Sequence, residues 1–270
     1  MYYETQTTAA LIIGAVLSFV IPIGAIIFYK LRNRSTWLPA ALVGAGTFIV
    51  FAMILEQLIH AVMLPVVRQN VFLYIVYGAL AAGIFEETGR FIAYKTIMKN
   101  NESTKNAIMM GLGHGGIEVI LILGLTMVSL AGSAIMVNSQ GLESVVALLA
   151  AENPDAVEPT RAQLEALTAY GFTNMTMSIY ERLLAMTLHV CLSVVVFFAA
   201  ARPGKVHFFP IAIAIHALFD TPAAMYQAGV ITSLPVVYAI MTVLTACLAG
   251  FTVMLAKKYP DYPEQLKPSL

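Results

Sequence analysis

Charge is what this sequence has least of: Asp, Glu, Lys and Arg make up 11% of its 270 residues, against 59% apolar residues and a mean hydropathy of +0.81. A soluble globular domain carries about 25% charge, so a water-exposed fold is excluded. The net charge is zero and the pI about 7.0, which denies the chain a basic surface for nucleic acid. Cysteine is also scarce. Cys191 and Cys247 both fall in apolar runs and no CxxC occurs, so neither a disulfide framework nor a Cys metal pair is expected, and both read as packing residues. The N-terminal MYYETQTT lacks a basic n-region and an A-x-A site, so the first apolar run is expected to be retained as a span. No internal repeat, low-complexity tract or soluble domain is visible. The chain reads as a single polytopic membrane domain over 1–270.

What is present is a series of apolar runs long enough to cross a hydrocarbon core of about 30 Å. They predict spans at about 8–29, 37–65, 71–98, 106–130, 173–201, 207–227 and 231–256, hence an all-α integral membrane protein of about seven helices. The cations gather at one set of span ends: Lys30, Arg32 and Arg34, then Lys95, Lys99 and Lys105, then Arg202 and Lys205, then Lys257 and Lys258. The positive-inside rule makes those ends cytoplasmic, with the N-terminus out and the C-terminus in. The one long connection, about 131–172, is net acidic, is broken by Pro154 and Pro159, and is expected outside. It reads as a helix, a loop and a second helix beginning near Thr160, where Thr-Arg-Ala-Gln resembles a capping box. Such a segment is a surface connection or a lid over a substrate path.

Within the apolar runs sit charges that cost several kcal/mol each at membrane depth. FEETGR supplies Glu86, Glu87 and Arg90; GLGHGGIE supplies His114 and Glu118; YERLLAMTLH supplies Glu181, Arg182 and His189; IHALFD supplies His216 and Asp220; LEQLIH supplies Glu56 and His60. At 1.5 Å per residue, Arg90 and His114 come out about 12 Å from the cytoplasmic ends, His216 about 14 Å, Glu86 and His189 about 18 Å, and Asp220 about 20 Å. Four helices thus deliver ionisable groups to one layer. Glu56, His60, Glu181 and Arg182 come out nearer 30 Å, as a separate outer set. Arg90, three and four residues after the glutamates, can neutralise one of them and leaves one carboxylate over. The glycines around His114 allow a neighbouring backbone or a substrate close to the imidazole. Pro210 and Pro222 bracket His216 and Asp220 and predict a kinked sixth span.

A Glu-Glu with a following basic residue, then a helix with one His, then a late His-x-x-x-Asp resembles the CPBP superfamily of intramembrane proteases, which includes the type II CAAX prenyl endopeptidases. Within it, the EExxR spacing, GLGHGGIE and HALFD look most like the YhfC family, with PrsW-type proteases as nearer relatives. The resemblance covers about 71–225 and implies a CPBP-like helical core and a peptide hydrolase. It implies that Glu86 and His114 orient and deprotonate a water, that His216 and Asp220 stabilise the oxyanion, and that Glu87 and Arg90 hold the constellation, with Glu118 and His189 in support. The chemistry is sound, since a carboxylate removed from water is suited to taking up and returning a proton and an imidazole can share that work. The sequence departs from the family pattern in three places: Arg90 comes one position early, Met110 replaces a Phe, and Asp220 stands where CAAX enzymes carry Asn. An ionised Asp would oppose an oxyanion, so Asp220 either orients His216 or is protonated.

The resemblance implies no cofactor. An alternative is a zinc-dependent protease holding the metal with His114, His189 and His216 and one water, although no HExxH is present. Acidic and histidine residues also build proton relays, so a proton-coupled transporter is a reading of another class, and a non-catalytic membrane scaffold a third. The expected partners are the bilayer and a membrane-embedded or lipid-linked peptide substrate, in a multi-pass protein of a prokaryotic plasma membrane.

Overall fold

Without water to satisfy backbone N–H and C=O groups, a chain in lipid must bond them within each segment, and this one does so with helices. The computed structural model describes residues 2–151 and 153–261, and no strand occurs among them. In chain order the helices are α1 (Thr5–Arg32), α2 (Pro39–Thr47), a π-helical stretch (Phe48–Glu56), α3 (Gln57–Val67), α4 (Val71–Lys95), α5 (Thr104–Glu118), a second π-helical stretch (Val119–Gly124) and α6 (Leu125–Gln140). They continue with α7 (Leu142–Leu149), α8 (Val157–Ala166), α9 (Phe172–Ala201), α10 (Phe208–Gln227) and α11 (Leu234–Lys258). Seven helical segments are long and apolar enough to cross a bilayer: Thr5–Arg32, Pro39–Val67, Val71–Lys95, Thr104–Gln140, Phe172–Ala201, Phe208–Gln227 and Leu234–Lys258.

Several details differ from the sequence expectation. The fourth span runs on to Gln140, because the apolar pattern continues through α6 and the helix stops only at Gly141, whose φ of 86° a side chain would resist. The second loop helix begins at Val157, so Thr160 lies inside it and caps nothing; Glu158 and Pro159 occupy the first turn, where an acid and a missing N–H are both tolerated. Glu152 of the acidic loop lies outside the described residues. The sixth span runs unbroken as α10, with Pro210 in its first turn and Pro222 inside it. Cys191 is buried, but Cys247 is exposed on α11.

The described chain divides into two compact units. One comprises the residues up to Ile23 with Val119–Leu183. Its core gathers Leu11 and Ala15 of α1, Met127, Ala131 and Ala134 of α6, and Val145 and Val146 of α7. Tyr3 ties its N-terminal residues down, donating from its hydroxyl to the Leu164 carbonyl at 2.7 Å. The other comprises Gly24–Glu118 with the residues from Leu184 on. Its core is built on the α9 residues Leu188 to Ala200 with Tyr94, Met109, Met110, Phe208 and Leu248. Here α2 lies so close to α5 that a Cβ on Gly113 would come 1.9 Å from the Ala41 carbonyl oxygen, and one on Gly44 2.0 Å from that of Met110. On its other side α5 meets α9, where a Cβ on Gly111 would stand 2.5 Å from Val190 Cα. The glycines around His114 therefore admit neighbouring helices, in the small-residue packing that lipid favours.

Candidate active site

Every member of the central polar cluster belongs to this second unit. On α4, Glu86 and Glu87 precede Arg90 by four and three residues, so a single helical face presents all three. Arg90 and Glu87 are fully buried, and Glu86 is 6% exposed. From α5 comes His114 and from α9 His189, both buried. From α10 come His216, also buried, and Asp220, which alone in the cluster has a side chain as much as 30% exposed.

His114 is fixed at both ring nitrogens. The Thr47 hydroxyl donates to the Gly44 carbonyl at 2.7 Å, so its oxygen accepts from His114 Nδ1–H at 3.0 Å. That assigns the tautomer and leaves Nε2 as a bare acceptor, 2.7 Å from Glu86 Oε2. Two acceptors this close require a positive centre between them, either a proton or a metal ion. Phe48, the next residue after Thr47, stands edge-on to the imidazole with 5.3 Å between ring centroids.

Arg90 is the hub on the other side. Nη1 donates to Glu87 Oε1, and Nη2 lies 2.6 Å from His189 Nδ1 and 3.4 Å from Glu86 Oε2. A guanidinium has only donors, so His189 Nδ1 accepts and its Nε2–H faces Glu118 Oε2. His216 gives Nδ1–H to Glu87 Oε1 at 2.6 Å and points Nε2 at Asp220 Oδ2, 3.4 Å away. Four carboxylates, those of Glu86, Glu87, Glu118 and Asp220, thus meet one permanent cation, Arg90. Protons on the histidines or on the carboxyl groups, or a bound cation, balance the remaining negative charge.

Among the described residues the group that could hold a metal is Glu86, His114 and His189, with donor atoms all within 4.8 Å of one another. The histidine trio read from the sequence shares His114 and His189 with this group, while His216 meets Glu87 at Nδ1 and Asp220 at Nε2. Glu86 Oε2 is 2.7 Å from His114 Nε2 and 3.7 Å from His189 Nδ1. Those separations bracket the roughly 3.4 Å edge of a tetrahedron with zinc–ligand bonds of about 2.0–2.1 Å. The His114–Thr47 bond is the kind that orients a ligating imidazole. In kind and spacing the donors fit a divalent metal once His189 Nδ1 is released from Arg90 Nη2, which holds it at 2.6 Å.

The outer set divides. Glu56 ends the first π-helical stretch and is 6% exposed, drier than its expected place near the surface. It pairs with His60 at 3.2 Å, and His60 Nδ1 meets the Tyr77 hydroxyl at 2.6 Å. Glu181 and Arg182 form an ion pair with each other on the part of α9 that belongs to the first unit. Sequence reasoning missed Thr47, Phe48 and Tyr77. It also missed that both π-helical stretches adjoin the cluster, one beginning at Phe48 and the other directly after Glu118.

The chain matches the family described as YhfC intramembrane metalloprotease over residues 17–242. It is 34% identical over 259 residues to the uncharacterized membrane protein YhfC of Bacillus subtilis (strain 168), a match covering 94% of this chain and 97% of that protein. No solved structure is significantly similar to it. A buried glutamate–histidine cluster on membrane-spanning helices and a family match over most of the length agree, and the chain belongs to the YhfC intramembrane metalloprotease family.

Proposed function

We propose that the chain is an endopeptidase that hydrolyses peptide bonds of membrane-associated substrates with a water activated by Glu86 and His114. The observation that carries this is the 2.7 Å approach of His114 Nε2 to Glu86 Oε2, with Nδ1 already committed to Thr47. With one proton already held between His114 Nε2 and Glu86 Oε2, the other Glu86 carboxylate oxygen takes a proton from a water; the hydroxide so formed attacks a carbonyl, and the proton passes from Glu86 to the leaving amine as the C–N bond breaks. Arg90 and Glu87 hold the geometry. His216, clamped through Nδ1, has Nε2–H on the side of Asp220, where a developing oxyanion would take the donor that Asp220 holds at rest.

A second reading is favoured by the Glu86, His114 and His189 trio and by the description of the family. Those three residues would hold a divalent metal, and a metal so bound lowers the pKa of water and polarises a carbonyl. This chain's own part is then to fix the imidazoles through Thr47 and Glu118.

The motifs also support a wider kinship with the CPBP and PrsW-type proteases. The cation-rich span ends support an N-terminus outside and a C-terminus inside a prokaryotic plasma membrane. The test is cleavage of a fluorescently labelled unstructured protein, casein, by purified protein in detergent, comparing wild type with Glu86→Gln and His114→Ala. Both substitutions are expected to abolish cleavage, and activity surviving in both would remove the peptidase assignment.

A further inference from the structure

Asp220, the most exposed member of the central cluster, lines a cavity of about 390 Å³. His60 and Arg68 line one wall, Tyr74 and Gly78 of α4 a second, and Asp220 and Gln227 of α10 a third. The Tyr74 hydroxyl donates to Gln227 Oε1 at 3.2 Å and joins two of the walls at the rim. From Asp220 to Gln227 the α10 wall rises about 10 Å, at 1.5 Å per residue. The lining mixes donors and acceptors, with a cation at one level and a carboxylate at another. A lipid-filled crevice between helices has no use for such a wall, because polar side chains facing hydrocarbon cost free energy.

The ends of the helices also matter. The cavity lies at the C-terminal end of the second span, the N-terminal end of the third and the C-terminal end of the sixth. These are the ends opposite the cations at Lys30, Arg32, Lys95, Lys99, Arg202, Lys205, Lys257 and Lys258. By the positive-inside rule they face outward.

The geometry points to this cavity as the chamber through which water and substrate reach the cluster, from the outer side and at the Asp220 end. Its substrate class is an unwound, polar stretch of peptide flanking a membrane span. A peptide inside a helix has its carbonyls hydrogen-bonded and shielded; once unwound in a membrane it needs other partners for every N–H and C=O. Arg68, Tyr74 and Gln227 offer them, and an extended segment laid along this wall brings a carbonyl to Asp220 and His216. The inference rests on the peptidase reading for its substrate, though the path itself can be tested without it.

The experiment places one cysteine in the wall, Ala223→Cys, with Leu64→Cys as a second position, in a chain whose Cys191 and Cys247 are replaced by Ala. A membrane-impermeant methanethiosulfonate carrying a quaternary ammonium is added to sealed right-side-out or inside-out membrane vesicles. Modification is expected in right-side-out vesicles, and the modified variant is expected to lose most of the casein cleavage shown by the same variant unmodified. Reaction of both cysteines only in inside-out vesicles, or in neither preparation, overturns the outer path. Full modification with cleavage unchanged overturns the substrate chamber. Failure of wild type to cleave casein counts against the peptidase reading instead, while the labelling pattern still decides the path.

Discussion

Thr47 and His114 come from different spans, yet a single hydrogen bond of 3.0 Å between them decides which nitrogen of the imidazole carries the proton. Because the Thr47 hydroxyl spends its own proton on Gly44, it can only accept from Nδ1, and Nε2 is left bare toward Glu86. Both readings of the chemistry need this tautomer: a proton acceptor must have a lone pair free, and so must a metal ligand.

Thr47→Val keeps the shape and removes the acceptor. It leaves a buried N–H without a partner, at about 1–3 kcal/mol. We expect a lower thermal midpoint in detergent and a larger loss in kcat than in KM for casein cleavage, with Thr47→Ser restoring both. The check on mechanism is the nitrogen NMR signature of His114, which should shift toward the other tautomer in the valine variant alone. An unchanged signature there would rule out the positioning role.

The contact of α2 with α5 makes a second, purely steric expectation. A methyl at Gly113 would stand 1.9 Å from the Ala41 carbonyl oxygen, and that oxygen belongs to a helical backbone with no rotamer to change. Gly113→Ala should therefore cost more than the usual 1–3 kcal/mol of overpacking and displace His114, its neighbour in sequence. Gly132→Ala, where a Cβ meets nothing within 4 Å, is the control and should be neutral or slightly stabilising. Thermal unfolding of the two variants side by side measures the difference.

The spans and the ionisable members of the cluster are legible in the sequence for one reason: lipid makes both apolar length and misplaced charge expensive, so each leaves a mark that a single chain shows. Glu86, Arg90, His114, His189 and His216 stand out on that ground alone. Thr47 does not, because a hydroxyl in a span costs little and can bond its own helix. The π-helical stretches are illegible as well. FIVFAMILE and VILILG are apolar at nearly every position, so they carry no period from which a wider turn could be read. His216 could be assigned to a metal set from its depth, but depth does not reveal that Glu87 takes its Nδ1.

Asp261, just past the end of α11, caps the helix that carries His114. Its carboxylate accepts from the backbone N–H of Thr104 at 2.9 Å and from the Thr104 hydroxyl at 2.9 Å, and Arg202 Nη2 holds it at 2.9 Å. Ser103 Oγ accepts from a second donor of the first turn, Asn106 N–H, at 3.1 Å. A carboxylate at a helix N-terminus satisfies orphan donors and suits the helix dipole. Asp261→Ala should lower stability by about 0.5–2 kcal/mol, with increased hydrogen exchange confined to the first turn of α5. Exchange unchanged at Thr104 and Asn106 would show the cap to be idle.

The last expectation separates the two sources of positive charge between Glu86 and His114. Arg90 Nη2 already lies 2.6 Å from His189 Nδ1 and 3.4 Å from Glu86 Oε2, so a dication shared by these ligands would sit against a buried guanidinium. Like charges at such range in a low dielectric repel by several kcal/mol, and that favours the proton. We therefore expect wild type, stripped by exhaustive chelation and shown by elemental analysis to hold no zinc, to keep its cleavage of casein. His189→Ala is then expected to lower the rate only in part, through the loosened hold on Arg90 and Glu118. If the metal reading is correct the same two preparations behave differently. Stripping and His189→Ala each remove bound metal and cleavage together, and readdition of zinc rescues the stripped wild type but not the variant. Metal content measured alongside activity distinguishes a lost ligand from a disordered site, since a disordered Arg90–Glu87 hub would lower the thermal midpoint in the variant with or without zinc.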